Sequence, residues 1–235
     1  MAKFWNFLHD DAGERVLRLD GAISETTWFG DEVTPKFFRD DLNASDGDIT
    51  VWLNSPGGDV FAAHQIFNML KEYGDNRGLV TVKIDSLAAS AASIIAMAGD
   101  AIEISPVGMI MIHNPATIAA GDADEMKAAA KMLGEVKEAI INAYGRTNLP
   151  REQLSRMMDA ETWMNANKAV ELGFADKIIG SENQPTDEQS AKIFSAMQVT
   201  NSVADAFKAR RDAEKKLATA GKRFIVMRPQ EIFQG

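Results

Sequence analysis

The chain contains three histidines, and each is a candidate general base, because histidine is the commonest general base near neutral pH. His9 lies in a polar N-terminal segment and His64 on a predicted helix that packs inward, so we expect both to be structural or solvated. His113 closes the apolar run GMIMIHNP, whose Asn-Pro pair ends the predicted strand. Active-site residues are often found at such strand ends in α/β proteins. His113 is therefore the candidate base.

A serine with small neighbours is the candidate nucleophile. Ser90 lies in SLAASAASIIAMAG, a segment that follows a predicted strand and is typical of a strand, a tight turn and a helix. Small neighbours let a substrate approach, and the N–H groups at a helix N-terminus stabilise a developing oxyanion. The same residues also fit a close-packed helix, so the segment alone leaves both interpretations open. Ser86 and Ser93 are weaker candidates, as a turn residue and a helix-packing residue.

A second turn is a candidate source of oxyanion donors. The motif NSPGGDV lies between a predicted strand ending at Leu53 and a predicted helix beginning near Val60. Its two consecutive glycines allow the backbone to approach a ligand closely, although a Pro-Gly-Gly turn is also common as a simple connection. The turn could therefore contribute N–H groups to an oxyanion hole, or it could be a simple connection.

Alternating strand-like and helix-like segments must position these residues. The alternation predicts βα units and a mainly parallel sheet, and hence an α/β fold. The helix predicted from Val60 to Tyr73 carries apolar residues at helical spacing and should cover one face of that sheet. The predicted strands are Arg15 to Leu19, Ile49 to Leu53, Leu79 to Ile84, Ala101 to Ile104 and Met109 to His113.

The strongest amphipathic pattern in the chain predicts a long helix from Ala123 to Tyr144. Apolar residues recur along it at steps of three and four, which indicates packing against the core or against another subunit. The residues that set this pattern are Met126, Ala130, Leu133, Val136, Ile140 and Tyr144.

The chain is expected to divide into a domain at 1–179, a linker at 180–190 and a C-terminal extension at 191–235. The composition shifts after Ile179 to GSENQPTDEQ, which is typical of a linker. The extension mixes charges in a helix-favouring segment and ends in RFIVMRPQEIF, which contains a short apolar run. The sequence leaves two interpretations of this extension open, a partner-binding helix and a poorly ordered segment.

Composition argues against several classes of function. The 235 residues include no cysteine, which rules out disulfides and a thiol nucleophile and fits a reducing cytoplasm. The net charge of −9 argues against a nucleic-acid partner. The longest apolar stretch, near Leu87 to Ala98, is too short to cross a bilayer, and the N-terminus lacks a signal-peptide pattern. We therefore expect no membrane partner and a cytoplasmic location.

Three motifs taken together resemble the proteolytic subunit of the Clp protease, ClpP, in order and in spacing. They are NSPGG at 54–58, AASAAS at 88–93 and MIHNP at 111–115, and the resemblance runs from about Val16 to Ile179. The family implies a ClpP/crotonase-like fold of repeated ββα units, with a mainly parallel sheet and a long oligomerisation helix. The segments KFWNF, TWFGDEVTP and ETWM most resemble the ClpP-like head-maturation proteases of tailed phages and prophages.

The resemblance assigns roles to particular residues. It implies that Ser90 is the nucleophile, that His113 is the base, and that the N–H groups of Gly58 and Ala91 bind the oxyanion. These roles agree with the chemistry of acyl transfer, which needs a histidine-activated serine and two aimed amides. No metal or organic cofactor is expected.

The acid of the triad departs from the family pattern. Alignment of ETWMNANKAVELG places Glu161 where an aspartate is usual, with Asp159 as the second choice and a triad without an acid as the third. Either carboxylate could instead simply flank the helix after Asn165, where an acid near the N-terminus is mildly stabilising. Asn165 replaces the usual serine before that helix and remains a competent cap.

The expected function is that of a ClpP-type serine endopeptidase that processes phage capsid or scaffold protein during head maturation. One alternative is a general ClpP subunit fed by a Clp ATPase, since the sequence contains no ATP-binding loop of its own. Another is a catalytically inactive scaffold or shell subunit, which the unusual acid keeps open. Crotonase-type enzymes are disfavoured because they generally work with carboxylates. The resemblance also implies a ring-shaped homo-oligomer, heptameric or in stacked rings, that acts on protein or peptide substrates.

Overall fold

A computed structural model describes residues 7–9, 15–24 and 35–181 of the chain. Within these residues, eight strands form one sheet, accompanied by six α-helices and one short 3₁₀-helix. The strands are β1 (Phe7–His9), β2 (Arg15–Asp20), β3 (Ile49–Ser55), β4 (Val80–Ala89), β5 (Ala101–Ile104), β6 (Met109–Ile112), β7 (Thr162–Asn165) and β8 (Lys177–Ile178). The helices are α1 (Pro35–Leu42), α2 (Val60–Asn76), α3 (Ala91–Ala96), α4 (Ala123–Ala143), α5 (Arg151–Asp159), α6 (Ala166–Glu171) and the 3₁₀-helix Tyr144–Thr147.

The sheet is mainly parallel. Its main path runs β1-β2-β3-β4-β5-β8, and every pair from β2 to β8 along that path is parallel. Within the described residues, antiparallel pairing is confined to β1 with β2 and to β6 with β7. Helices α2 and α3 follow directly on β3 and β4, which is the connection that parallel strands require. The predicted α/β class is confirmed.

Strand β4 changes its neighbour along its length. Residues 81–84 pair with β5, and residues 87–89 pair with β6. The sequence predicts a strand that ends at Ile84, whereas the structure continues it to Ala89. The reason is that β6 supplies a second set of pairing partners beyond the predicted end. This pairing brings the ends of β4 and β6 side by side.

Helix α2 has the apolar face that its spacing predicts. Asp59 caps it, with one carboxylate oxygen accepting the Ala62 N–H at 2.8 Å. Val60 and Phe67, two of the apolar residues at helical spacing in the predicted helix, are only partly buried. The residues that the helix buries fully are Ala62, Ala63, Ile66, Leu70 and Tyr73.

Helix α4 has two halves with different surroundings. Asp122 caps its N-terminus in a capping box completed by Glu125. The first half is largely exposed, including Met126 and Ala130 of the predicted pattern. Core packing therefore applies to the second half, while subunit packing stays a prediction for the first. The predicted end at Tyr144 is one residue late, because Tyr144 begins the 3₁₀-helix. The buried residues of α4 are Val136, Ile140 and Ile141.

Residues from 182 onward lie outside the described part of the chain. Most of the predicted linker and all of the predicted C-terminal extension therefore stay predictions. Among the residues that the structure does describe, no helix combines the length and the apolar character that a membrane span requires.

Candidate active site

Ser90 occupies the turn between β4 and α3 in an uncommon backbone conformation. Its φ of 55° and ψ of −125° lie outside the regions that residues with a side chain ordinarily adopt. Hydrogen bonds hold the backbone on both sides of the side chain. The Ser90 N–H donates to the Met111 carbonyl at 2.8 Å, and the Ser90 carbonyl accepts the Ser93 N–H at 2.9 Å. These two hydrogen bonds therefore hold the turn in its conformation.

Ser90 and His113 meet because their strands are neighbours. Ala89 at the end of β4 pairs with Met111 of β6, so the chain leaves both strands at the same edge of the sheet. The Ser90 Oγ lies 2.6 Å from the His113 Nε2. In the tautomer with the proton on Nδ1, the serine hydroxyl donates to Nε2, which is the arrangement that activates a serine nucleophile.

The surroundings of His113 keep it in the neutral form. Burial lowers the pKa of His113 below its ordinary value, and the charge of Glu161 opposes part of that shift. A neutral imidazole has a free lone pair on Nε2 for the serine proton. His113 is thus suited to act as a base at neutral pH.

Strand pairing puts Glu161 next to His113. In the antiparallel pair of β6 and β7, Ile112 at the end of β6 lies opposite Thr162 at the start of β7, so His113 and Glu161 are the first residues beyond the paired ends. Glu161 has a positive φ of 48°, and its Oε1 accepts the indole N–H of Trp163 at 3.3 Å. No hydrogen bond joins Glu161 to His113 in the part of the chain that the structure describes. Glu161 therefore acts on the imidazole through its charge.

Asp159 forms its hydrogen bonds with residues other than His113. Its Oδ1 accepts from Lys137 Nζ at 2.6 Å and from Asn114 Nδ2 at 2.8 Å. The Lys137 and Asn114 hydrogen bonds lower the pKa of Asp159. These contacts tie the residue after His113 to helices α4 and α5. They favour a supporting position for Asp159 and leave Glu161 as the carboxylate whose charge acts on His113.

The Pro-Gly-Gly turn packs directly against Ser90. The buried Ser55 hydroxyl accepts the Gly57 N–H at 3.1 Å and so closes the turn. Gly57 has a φ of 89°, and a Cβ on it would lie 2.7 Å from the Ser90 Cβ and 2.9 Å from the Ala91 nitrogen. Such distances leave no room for a side chain, so the turn requires glycine for this approach.

The two amides expected to bind an oxyanion belong to the two turns that meet at Ser90. The Ile23 N–H donates to the Gly57 carbonyl, and the Asp59 N–H donates to the Ile23 carbonyl. In a parallel bridge of this kind, the N–H of the residue between them, Gly58, faces the opposite side. Ala91 is the first residue of α3, where an N–H has no carbonyl within the helix to bind. Both amides therefore have donor capacity that neither the bridge nor the helix uses.

The other sequence candidates have different positions. The His9 side chain lies outside the described residues. His64 makes an edge contact with Phe61, with ring centroids 6.3 Å apart, and its Nε2 is buried without a hydrogen-bond partner among the described residues. Ser86 is an exposed residue of β4 and not a turn residue, because β4 continues past it. The side chain of Asn165 accepts the Lys168 N–H at 2.9 Å, which confirms the predicted cap.

Ser93 does more than the simple helix packing that the sequence predicts for it. Its hydroxyl donates to the Ser90 carbonyl at 2.5 Å and lies 2.7 Å from the Tyr144 hydroxyl. A serine three residues after Ser90 is a signal for such a local bond, since serine hydroxyls often bond backward within a helical turn. Nothing in the local sequence signals the contact with Tyr144. Within residues 7–9, 15–24 and 35–181, no group of three metal-ligating side chains is found.

Comparison with known proteins gives a consistent result. A family model described as Clp protease matches residues 9–182. The ATP-dependent Clp protease proteolytic subunit of Porphyromonas gingivalis is 33% identical over 135 residues, an alignment that covers 56% of this chain and 60% of that protein. The ATP-dependent Clp protease proteolytic subunit 1 of Chlamydia muridarum is 32% identical over 158 residues, covering 65% of this chain and 80% of that protein. A solved structure of a ClpP1 mutant from Listeria monocytogenes superposes with a TM-score of 0.60 at 26% identity, covering 70% of this chain and 90% of that one.

Proposed function

We propose, from the premise that this chain belongs to the Clp protease family, that it is a serine endopeptidase whose nucleophile is Ser90 and whose base is His113. The observation that carries the proposal is the 2.6 Å separation of the Ser90 Oγ and the His113 Nε2. The positive φ of Ser90 adds support, because strained backbone persists where the surrounding structure holds it and is frequent at active sites.

The proposed reaction is acyl transfer from a peptide to Ser90. The Ser90 Oγ attacks the peptide carbonyl carbon while the His113 Nε2 accepts the hydroxyl proton, giving a tetrahedral intermediate with a negative oxygen. The amides of Gly58 and Ala91 donate to that oxygen, and a donor of this kind contributes about 10²- to 10³-fold in rate. His113 then passes its proton to the leaving amine. In the second half, His113 deprotonates a water that attacks the acyl carbon, and the resulting intermediate expels the Ser90 Oγ, which takes the proton back from His113 as the carboxylic acid product leaves.

Glu161 is the proposed acid of this triad. Its negative charge stabilises the imidazolium form of His113, which develops as the serine proton is transferred. Asp159 ranks second because Lys137 and Asn114 both donate hydrogen bonds to its Oδ1. No metal or organic cofactor enters the proposed steps.

For the substrate, we propose a capsid or scaffold protein cleaved during phage head maturation. The flanking motifs and the residues after 179 support this choice. The alternative, a general ClpP subunit that works with a Clp ATPase, is supported by relatives that are named as subunits of ATP-dependent Clp proteases. Incubation of the purified protein with a candidate scaffold protein, with and without an added Clp ATPase, separates the two. Cleavage that strictly requires the ATPase would contradict the phage proposal.

Fluorophosphonate labelling tests the catalytic proposal directly, because the reagent reacts with activated serines. We expect the wild-type protein to be labelled, Ser90→Ala to be unlabelled, and His113→Ala to react about 10²- to 10⁴-fold more slowly. Ser86→Ala is the matched control, since Ser86 is exposed on β4 and should leave labelling unchanged.

Two outcomes would contradict the catalytic proposal. Labelling of Ser90→Ala at the wild-type rate would show that another serine reacts. A wild-type protein that stays unlabelled, under conditions that label an active control peptidase, would favour the inactive scaffold or shell subunit.

A further inference from the structure

We propose that Ser93 and Tyr144 are positioning residues that hold the Ser90 backbone in the conformation the reaction needs. The inference rests on the proposed function, because it concerns the geometry of the proposed nucleophile. The inference adds two residues to the proposed active site, Ser93 on α3 and Tyr144 at the start of the 3₁₀-helix after α4.

A chain of hydrogen bonds carries the inference. The Ser93 hydroxyl donates to the Ser90 carbonyl at 2.5 Å. The hydroxyls of Ser93 and Tyr144 are 2.7 Å apart. A serine hydroxyl has one proton, and here it goes to the Ser90 carbonyl, so the Tyr144 hydroxyl must be the donor to Ser93. The direction of the chain is therefore Tyr144 to Ser93 to Ser90.

Burial makes this direction stable. The Ser93 side chain is fully buried and Tyr144 is 1% exposed. Burial raises the pKa of the Tyr144 hydroxyl far above its ordinary value, so the phenol keeps its proton throughout the range in which a peptidase works. In such an environment hydrogen bonds in series strengthen one another.

The Ser90 carbonyl is the point at which the chain acts. That carbonyl accepts both the N–H and the hydroxyl of Ser93, while the Ser90 N–H binds Met111 on the strand that leads to His113. With both peptide groups held, the positive φ of Ser90 is maintained and its Oγ stays directed at the His113 Nε2. Loss of the Ser93 hydroxyl would remove one of the two hydrogen bonds to the Ser90 carbonyl, and loss of the Tyr144 hydroxyl would remove the donor that orients the Ser93 hydroxyl.

Tyr144 is itself fixed by its neighbours. Its ring contacts Phe174 edge to face with centroids 5.4 Å apart, and its carbonyl accepts the Thr147 hydroxyl at 2.8 Å. The nucleophile turn is thereby joined to the buried C-terminal half of α4. The contact between Tyr144 and Ser93 therefore does more than fill space, because it places a hydroxyl donor of fixed position next to the Ser90 turn.

The test is Tyr144→Phe, which removes only the hydroxyl. We expect kcat for a peptide substrate and the fluorophosphonate labelling rate to fall about 2- to 10-fold, the effect of one hydrogen bond, with KM unchanged. The acid limb of the pH–rate profile should not move, because His113 keeps its surroundings. Ser93→Ala should act in the same way, and the double variant should lose less than the product of the two single losses.

Tyr73→Phe is the matched control. Tyr73 is also buried, and its hydroxyl donates to the Gly47 carbonyl at 2.6 Å, so its loss should lower thermal stability without changing kcat per labelled site. Equal kcat for Tyr144→Phe, Tyr73→Phe and wild type would overturn the inference, as would full multiplication of the single losses in the double variant. If Tyr144→Phe does not fold, Ser93→Ala is judged by the same criteria. A wild-type protein without labelling would instead overturn the proposed function itself.

Discussion

At the scale of single residues, the two carboxylates near His113 have different situations. Asp159 is bound by Lys137 and Asn114, and these contacts hold its pKa low. Glu161 accepts the indole N–H of Trp163 and reaches the imidazole by its charge. Opposing effects therefore set the proton affinity of His113, because burial lowers its pKa and Glu161 raises it.

The Glu161→Gln variant tests whether the charge of Glu161 raises the pKa of His113. Removing the negative charge takes away the contribution that raises the pKa of His113, so the acid limb of kcat/KM should move to lower pH. The plateau should fall by about 10-fold, or about 1.4 kcal/mol in the barrier, because the imidazolium that forms in the transition state loses a stabilising charge. A pH–rate profile from about pH 4 to about pH 9 measures both, since that range extends roughly two pH units or more to either side of the ordinary histidine pKa.

Asp159→Asn is the comparison variant. We expect its acid limb to coincide with that of the wild type, because the charge that acts on His113 is that of Glu161. A limb that moves in Asp159→Asn and stays in place in Glu161→Gln would reverse the assignment.

At the scale of elements, the site is made where two strand-to-helix turns touch. The turn after β3 brings Gly57 against the turn after β4, which carries Ser90. Pairing of Ser55 with Ala88, after an irregularity in the register, fixes how closely the two strand ends approach. The proposed oxyanion donors and the proposed nucleophile thus depend on one contact between backbones.

Gly57→Ala should disrupt that contact. A Cβ there would lie 2.6 Å from the Ala89 carbonyl oxygen and 2.7 Å from the Ser90 Cβ, distances that force the two turns apart. We expect fluorophosphonate labelling to be lost and thermal stability to fall, measured by labelling kinetics and by circular dichroism on heating.

Gly134→Ala supplies the control. A Cβ added to this glycine of α4 would meet no atom within 4 Å, so alanine should be tolerated. It should raise helix stability by about 0.5–1 kcal/mol and leave labelling unchanged. Normal labelling in Gly57→Ala would show that the close approach is not needed.

At the scale of the whole molecule, the first half of α4 presents an apolar face outside the described core. Met126 is 38% exposed, although it belongs to the pattern that packs inward farther along the helix. An unburied continuation of an apolar stripe is typical of an interface. We propose that this half of α4 packs against other copies of the chain in the ring that the family resemblance implies.

Met126→Glu should therefore weaken the assembly. The added charge would be buried at the proposed interface, so sedimentation velocity should show smaller species with an unchanged circular dichroism spectrum. Ala128→Glu is the control, because Ala128 is exposed and lies about 200° around the helix axis from Met126. A monomeric wild type, or identical species for wild type and Met126→Glu, would contradict the proposal.

The sequence by itself determined the class of fold and the short list of chemical residues. Periodicity predicted α2 and α4, and turn chemistry predicted the Gly57–Gly58 turn. Small neighbours singled out Ser90 and a strand end singled out His113, because each signal lies within a few neighbouring residues. The assignment of these residues to catalysis stays a proposal, supported by the geometry in which the structure brings them together.

Only the tertiary structure decided the environment of that site. The approach of Glu161 to His113 follows from the register of β6 against β7, and the bond from Tyr144 to Ser93 joins residues 51 positions apart. Strand register and long-range side-chain contacts depend on how distant elements pack, and no local pattern of residues encodes them. For this reason Ser90 and His113 could be named from their neighbours and Glu161 from a family resemblance, while the bonds by which Ser93 and Tyr144 hold the Ser90 backbone could not.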